Sequence, residues 1–401
     1  MKEGDTFLDD LPMLDPIIRH DPTEYGWRGL TAGGEVFYVG SANGHKAIVP
    51  DGDILVRVGD KAVGRRTITN TCPISVGEYL EHYENAIRLL RANKPAEALT
   101  EIDWVIGNAM NVRARMNRAM ILLSLGRWNE GFKEFYECEA GPPFQRPLCR
   151  SALVAGLRPW RGESISGNHL MLLHDHGYGD TIMMLRYIVH LQKLGAKVSV
   201  VAPDDIGSLI YQVARVTPKI EKADYFCTML DLGHILKITP ENVLSNFPLV
   251  VDLDKSAIWH DRLGVVDKPL KIGIAWSVRT PSLVDYQREI PLKLLVDALS
   301  PYGYLYSVQK QGSQEAKELG VVVNEFGDFA DCSALMSQLD WIVSADTAAL
   351  HLAGAIEHPR VTGLLSHWHS WRWLANWYPN IRFCRQTSEG DWASAVGQLL
   401  S

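Results

Sequence analysis

The chain has 401 residues, which is too long for one ordinary domain and predicts two or three. Its hydrophobic (46%) and charged (22%) fractions are close to those of average globular proteins. The formal net charge of -7 gives no global electrostatic reason to bind nucleic acid, which is a permitted but not a favoured partner.

The cysteines and the apolar runs predict a cytoplasmic location. The six cysteines contain no CxxC pair, which favours free thiols in a reducing compartment. The N-terminal residues lack the apolar core of a signal peptide, and no apolar run reaches the ~18 residues of a membrane span. We therefore expect no transmembrane segment.

Residues 1–75 predict a small β-rich element, to which we assign no role. Short apolar runs at 36–39 and 54–58 read as strands, because they lie between turn sequences such as Asn43-Gly44 and Asp51-Gly52.

Residues 76–149 change to a helical period. The segments 89–99 and 122–132 align at an offset of 33 residues, with a small residue, Ala98 or Gly131, at the same position of each. This pattern is typical of tetratricopeptide-like repeats, whose period is about 34 residues. A generic helical hairpin is the alternative, and a protein partner could bind to the repeat.

The rest of the chain alternates between strands and helices, which predicts an α/β fold with two domains over 150–266 and 267–401. The first series contains strands at 169–173 and 197–201 around a helix at 181–194. The second series contains strands at 270–275, 304–308, 321–324, 341–344 and 361–365, and helices at 291–299, 332–339 and 348–356.

The turn at 174–181 is the first candidate site, because ligands of open α/β sheets bind beyond the carboxyl ends of the strands. Gly177 and Gly179 permit a tight turn and the close approach of a ligand to the backbone. Asp180 opens the helix, either as an N-cap or as a general base. Ile182 replaces the third glycine of a dinucleotide fingerprint, which disfavours NAD. No third ligand accompanies the two histidines of this turn, so we expect no metal.

The start of the helix at 348–356 is the second candidate site. Small residues such as Ala348 expose its N–H groups and its positive dipole end, which suits a diphosphate. Asp346 is a candidate cap or ribose ligand, and Thr347 is a candidate phosphate donor. His351 either faces this site or packs in the core.

The end of the strand at 304–308 is the third candidate site. Gln309 and Lys310 follow this strand directly, and a cation beside a phosphate site would offset the charge of a leaving group. A surface lysine without such a role is the alternative.

Taken in chain order, these segments and several tryptophan-rich motifs resemble the bacterial tetratricopeptide-repeat glycosyltransferases related to family 9, the heptosyltransferase group. The motifs that carry the resemblance, over residues 80–401, are Pro159-Trp160-Arg161-Gly162-Glu163, the 174–181 turn with Leu185-Arg186-Tyr187, Asp224-Tyr225, Ile272-Gly273-Ile274-Ala275-Trp276, Arg288-Glu289-Ile290-Pro291-Leu292, Ser307-Val308-Gln309-Lys310, 344–354, Trp371-Arg372-Trp373-Leu374, Trp377-Tyr378-Pro379, Arg385-Gln386 and Asp391-Trp392.

The resemblance implies a GT-B fold, in which an N-terminal acceptor domain and a C-terminal nucleotide-sugar domain are both Rossmann-like. It implies metal-independent transfer of a hexosyl or heptosyl group from a nucleoside-diphosphate sugar, with no further cofactor. The acceptor hydroxyl could belong to a glycan, a protein, a small molecule or modified DNA. On this template Asp180 is the base, Arg288 and Lys310 face the donor phosphates, and Asp346, Thr347, Ala348 and His351 hold ribose and diphosphate. Gln309, Gly177 and Gly179 are further candidates for binding donor or substrate.

One departure favours a second interpretation. The loop after Trp276 reads Ser277-Val278-Arg279-Thr280-Pro281, without the Asn-Pro and Asn-Asp-Arg sequence usual in the family. A catalytically silent binding or scaffold protein on the same fold is therefore the main alternative. An epimerase or a phosphorylase on a similar pair of Rossmann domains is a third.

Overall fold

The computed structural model describes residues 19–23, 26–30, 36–39, 46–49, 53–58, 61–67, 76–108, 112–140, 147–174, 176–245, 247, 249–264, 269–278, 288–310, 314–368 and 370–399. The chain forms two compact units. The first covers Met1–Leu90 and Lys94–Gln145, and the second covers Arg91–Asn93 and Arg146–Ser401. No helix in the described ranges is long and apolar enough to cross a membrane.

The first unit begins with six strands. They are β1 (Arg19–Thr23), β2 (Gly26–Leu30), β3 (Val36–Val39), β4 (Lys46–Val49), β5 (Asp53–Val58) and β6 (Lys61–Thr67). Strands β1 to β4 form an antiparallel meander, and β5 and β6 form a hairpin. The predicted strands at 36–39 and 54–58 coincide with β3 and β5.

Four helices complete this unit. They are α1 (Val76–Arg91), α2 (Pro95–Asn108), α3 (Val112–Ser124) and α4 (Trp128–Ala140). A Cβ atom added at Gly131 would lie 2.7 Å from Leu123 Cγ, so a larger residue there would clash between α3 and α4. The small residue at this aligned position therefore lets the two helices approach closely, and the tetratricopeptide assignment itself stays a prediction.

The second unit contains two parallel sheets. The elements of the first sheet region are α5 (Pro147–Val154), β7 (Arg158–Pro159), β8 (His169–Leu173), α6 (Tyr178–Lys193), β9 (Lys197–Val201), α7 (Asp204–Ile210), β10 (Arg215–Thr217), β11 (Tyr225–Thr228), α8 (Asp231–Ile235) and α9 (Leu253–Leu263). The strand order is β10-β9-β8-β11-β7, and every pair is parallel. Helix α6 ends before Gly195, whose φ of 90° is the left-handed conformation that glycine adopts at little cost.

The second sheet region begins at β12. Its elements are β12 (Leu270–Ala275), α10 (Leu292–Leu299), β13 (Gly303–Ser307), α11 (Gln314–Glu318), α12 (Phe329–Met336), β14 (Trp341–Ala345), α13 (Ala348–Ala355), β15 (Val361–Leu365), β16 (Ile381–Arg385) and α14 (Trp392–Gly397). The strand order is β13-β12-β14-β15-β16, again all parallel. All five residues of β14 and of β15 are buried, as expected for strands covered on both faces.

The pair of parallel-sheet α/β domains is confirmed and fits the predicted GT-B type of fold. One detail of the sequence interpretation is wrong. The strand predicted at 321–324 is a single bridge between Val322 and Tyr306. The stretch at 203–265, for which no element was predicted, holds five elements, of which α9 packs on α12 through a hydrogen bond from Trp259 Nε1 to Asp331 Oδ1 (2.7 Å).

Candidate functional site

The helices that follow β8 and β14 meet at their N-terminal ends. A Cβ atom added at Gly179, in the first turn of α6, would lie 2.7 Å from His351 Cδ2 and 3.6 Å from the Cα of Ala348. Helix α6 belongs to the first sheet region and α13 to the second, and their first turns therefore touch at Gly179. At Gly179 the close neighbour is α13 and not the ligand that the sequence predicted, while a Cβ at Gly177 would meet only Asp180 Oδ2 at 3.6 Å.

Asp180 is the third residue of α6, and Gly177 is the N-cap, so the N-cap interpretation of Asp180 is wrong. Its carboxylate is buried and forms a two-pronged ion pair with Arg372. Arg372 Nε donates to Asp180 Oδ1 at 2.6 Å, and Nη2 donates to Oδ2 at 2.9 Å. Arg372 lies in the 3-10 turn Trp371–Trp373, which follows β15 of the second sheet. The pair thus joins the two sheets beside the two helix N-termini.

The environment of Asp180 sets its protonation. Burial alone would raise its pKa, but the charge and hydrogen bonds of Arg372, with smaller effects of His176 and His351, lower the pKa to about 2. The carboxylate is therefore ionised at neutral pH and is a weak base as long as Arg372 holds it.

His351 is buried at the first turn of α13. Its Nδ1 shares a hydrogen bond of 3.1 Å with the hydroxyl of Tyr378, and its ring stacks on Trp373 with centroids 4.6 Å apart. Burial lowers the pKa of His351 to about 4 in spite of the nearby carboxylates of Asp346 and Asp180. The imidazole is therefore neutral at pH 7. It packs against Trp373 and Tyr378 of the second sheet region and lies against Gly179 at the start of α6.

The turn before α13 brings a carboxylate and a guanidinium together. Thr347 is the N-cap of α13, so Asp346 is not the cap. Arg288 Nη1 donates to the backbone oxygen of Asp346 at 2.9 Å and lies 3.7 Å from its Oδ1. Thr347 and Ala348 are partly exposed, so the N-terminal end of α13 is reachable from solvent.

A second cation interacts with the carboxylate of Asp346. Arg385, the last residue of β16, donates from Nη1 to the carbonyl oxygens of Ser366 (3.0 Å) and Trp368 (3.2 Å). Burial lowers the pKa of Arg385 to about 10 although the carboxylate of Asp346 opposes the shift, so the side chain still carries its charge at neutral pH. In the same loop, the buried Ser370 Oγ has no hydrogen-bond partner among the described residues.

The residues after β13 contact other parts of the protein. Gln309 Oε1 accepts hydrogen bonds from the backbone N–H groups of Trp276 (2.8 Å) and Ser277 (3.1 Å), which holds the loop after β12. Lys310 Nζ donates to Asp205 Oδ1 of α7 at 2.6 Å and to the carbonyl oxygen of Gly327 at 3.1 Å.

The contact between Lys310 and Asp205 links the second sheet region to the first, close to the N-terminal end of α6. Asp205 Oδ2 also accepts a hydrogen bond of 3.3 Å from the hydroxyl of Tyr178, the first residue of α6. Both Lys310 and Asp205 are substantially exposed, with 54% and 37% of their side chains accessible. This ion pair is therefore open to solvent and to competing anions.

One buried arginine fixes α6 to the second sheet region. Arg186 Nη1 donates to the carbonyl oxygens of Leu244 and Trp377, the latter at 2.8 Å. Its guanidinium also lies 4.8 Å from the ring centroid of Tyr378.

The structure brings most of the sequence-predicted site residues to one place. Asp180, Gly177 and Gly179 lie at the N-terminus of α6, and Asp346, Thr347, Ala348, His351 and Arg288 lie at that of α13. Lys310 reaches the same edge through Asp205, whereas Gln309 holds the β12 loop. The roles of Arg372, Arg385 and Arg186 were missed, although each belongs to a motif that carries the resemblance. Among the described residues, no three His, Cys, Asp or Glu side chains are grouped to hold a metal ion.

Comparisons with known proteins give distant similarities. No family model matches the chain. It is 26% identical over 326 residues (71% of this chain) to Protein FlbA of Caulobacter vibrioides, and spans about half of that relative's length (54%). It is similar to the structure of a glycosyl transferase family 9 protein from Veillonella parvula, with 8% identity over 57% of this chain and 88% of the other, and a TM-score of 0.43. The structure of E. coli ADP-heptose lps heptosyltransferase II gives 12% identity over 58% and 97%, with a TM-score of 0.44. Identities and TM-scores this low assign no activity to the chain.

Proposed function

We propose that the chain is a glycosyltransferase that moves a sugar from a nucleoside-diphosphate sugar to an acceptor hydroxyl without a metal ion. The observation that carries this proposal is the contact between the first turns of α6 and α13 at Gly179. Because Asp180 belongs to the first turn of α6, this contact supports the proposal that a base on α6 and a diphosphate site on α13 act together, although the two helices follow strands of different sheets. Ligands of such sheets bind at this carboxyl edge.

The N-terminus of α13 suits the donor diphosphate on physical grounds. The partly exposed Thr347 and Ala348 lie where the helix dipole and its first N–H groups favour an anion. Arg288 and Arg385 add two positive charges around Asp346. These groups would stabilise a departing diphosphate without a metal ion.

In the proposed reaction the oxygen of the acceptor hydroxyl attacks the anomeric carbon of the donor. A new C–O bond forms while the bond from that carbon to the diphosphate oxygen breaks, and the nucleoside diphosphate leaves with the electron pair. Asp180 takes the proton of the hydroxyl. This role requires that the carboxylate is no longer held by Arg372, because the pair lowers its pKa to about 2.

A catalytically silent binding protein is the second candidate, and one observation favours it. Both side chains assigned to chemistry already have partners within the protein, Asp180 with Arg372 and Lys310 with Asp205. In this alternative the ion pairs only join the two sheets.

The test incubates the full chain with a panel of nucleoside-diphosphate sugars and a chelator of divalent metal ions. Binding is measured by thermal unfolding, and turnover by nucleotide release. A donor present at about 100 times its dissociation constant should stabilise the folded chain by about 2.7 kcal/mol. Nucleotide release that requires an added acceptor identifies transfer, and binding without release identifies the silent alternative.

A charge placed at the N-terminus of α13 checks where the donor binds. Ala348→Asp should weaken binding at least about tenfold through repulsion of the diphosphate, because one charge is worth about 1.4 kcal/mol or more in a partly buried site. Ala348→Asn is the matched control, since it has the same shape without the charge. Equal affinities of the two variants for every donor would place the diphosphate elsewhere.

A further inference from the structure

Arg372 contacts Asp180 and lies near the first turn of α13. Its guanidinium holds Asp180 in the first turn of α6. Its charge acts on His351, which is in the first turn of α13 and contacts Gly179, and the next residue, Trp373, stacks on His351. One arginine therefore contacts the candidate base and lies near the helix that carries the candidate diphosphate site.

The exposure of the two partners differs. The side chain of Arg372 is 18% accessible and that of Asp180 is 8% accessible, so the arginine is the more exposed member of the pair. A guanidinium forms two parallel hydrogen bonds with a phosphate as readily as with a carboxylate. A diphosphate at α13 would bring a second anion to a cation that already has one.

We propose that Arg372 is shared in turn by two anions: it holds Asp180 in the free protein and moves to the diphosphate of the donor when the donor binds. This inference rests on the proposed donor site. Arg372 is thereby a donor-binding residue and at the same time a positioning residue for the base.

The exchange would make the base active only when the donor is present. Once Arg372 has left, burial is the dominant influence on Asp180 and raises its pKa, which makes the carboxylate a stronger base. A donor-free protein would keep Asp180 ionised, hydrogen-bonded and weakly basic. This order of events would also limit the deprotonation of an acceptor that is bound while the donor is absent.

The test measures the affinity for inorganic pyrophosphate by calorimetry, with the full chain and a metal chelator. Asp180→Asn should tighten pyrophosphate binding by about tenfold, because it removes the carboxylate that competes with pyrophosphate for Arg372. Arg372→Ala should weaken it by about tenfold, and Arg372→Lys should restore part of the loss because it keeps the charge without the planar fork. In the Arg372→Ala background, Asp180→Asn should change the affinity by less than about threefold.

Two controls separate this effect from general changes in charge or folding. Asp252→Asn removes one carboxylate at the N-cap of α9, a position that asparagine also caps, and should leave pyrophosphate affinity unchanged. Unfolding curves of every variant exclude loss of the fold as the cause, and a gain of affinity in Asp180→Asn cannot come from structural damage.

The inference is overturned if pyrophosphate does not bind, if Asp180→Asn fails to tighten binding, or if it tightens binding equally with and without Arg372. Each of these results is compatible with turnover of a nucleoside-diphosphate sugar, so the proposed function would survive them. Conversely, coupling between Asp180 and Arg372 in pyrophosphate binding, with no sugar donor used by the protein, would support the exchange and reject the glycosyltransferase.

Discussion

The imidazole of His351 should make the stability of the second unit sensitive to mild acid. Its pKa falls from the ordinary 6.5 to about 4 in the folded chain, because burial disfavours the charged form. The unfolded chain therefore binds this proton first, and stability present above about pH 6.5 is lost as the pH falls towards 4. His174, whose pKa is also lowered to about 4 by burial and by His176, acts in the same direction.

We expect His351→Asn to reduce this loss of stability by on the order of 3 kcal/mol between pH 6.5 and pH 4, since it removes the titrating ring. Asparagine can still offer a polar atom near the Tyr378 hydroxyl. Urea unfolding at both pH values provides the measurement. A variant that loses as much stability as the parent chain over this range would contradict the assignment.

Sequence reasoning at the residue scale found Asp180 but missed its partner Arg372. Both members of the pair formed by Asp346 and Arg288 were predicted. Asp180 and Asp346 were recognised because each follows a predicted strand and precedes a helix, which is a local pattern. Arg372 stands 192 residues from Asp180, and nothing in the intervening sequence indicates that they meet. Long-range ion pairs leave no periodic signal, so their partners appear only in the folded chain.

At the scale of elements, the packing of α6 on α13 depends on the missing side chain of Gly179. A methyl group there would meet His351 Cδ2 at 2.7 Å and Nε2 at 3.3 Å, and His351 cannot retreat easily because it stacks on Trp373. Gly179→Ala should therefore destabilise the chain by about 1–3 kcal/mol in spite of the better helix propensity of alanine.

The matched control is Gly397→Ala at the end of α14, where a new Cβ meets nothing within 4 Å. Helix propensity predicts that this variant is as stable as the parent chain or slightly more so, by up to about 1 kcal/mol. Both effects are read from denaturant unfolding curves. Equal behaviour of the two alanine variants would show that the helices have room to separate.

Elements with strong local patterns were predicted well. Strands β8, β9, β12 and β15 have the predicted bounds, because each is rich in apolar residues and is buried along most of its length. Strand β10 has only three residues and helix α8 only five, which is too short for a period to show. The run at 321–324 has strand composition but pairs with β13 through one bridge only.

For the second unit as a whole, contacts of unequal strength join the two sheet regions. Arg186 is 2% exposed and donates to carbonyl oxygens of Leu244 and Trp377, whereas the Lys310–Asp205 ion pair is largely exposed. Buried partners left without a donor cost far more than an exposed ion pair.

We therefore expect Arg186→Ala to lower the free energy of unfolding by about 3 kcal/mol or more, through the unpaired carbonyls and the lost packing. Lys310→Ala should change it by only about 0–1 kcal/mol. Guanidinium chloride unfolding of the three proteins makes the comparison. If Lys310→Ala lowered the free energy of unfolding as much as Arg186→Ala, the exposed ion pair would contribute more to stability than its geometry indicates.

The separation of Asp180 and Arg372 along the chain also has a consequence in time. A ribosome adds about 5–20 residues per second, so the 192 residues between them take on the order of 10–40 s to synthesise. Once β11, which ends at Thr228, has been made, all strands of the first sheet are present in the nascent chain, while the arginine that will neutralise the carboxylate at the start of α6 has not been made. Until α13 has been synthesised, the part of α6 that it contacts also stays uncovered. Newly made chains of this protein should therefore depend on chaperones until the last strand of the second sheet has left the ribosome.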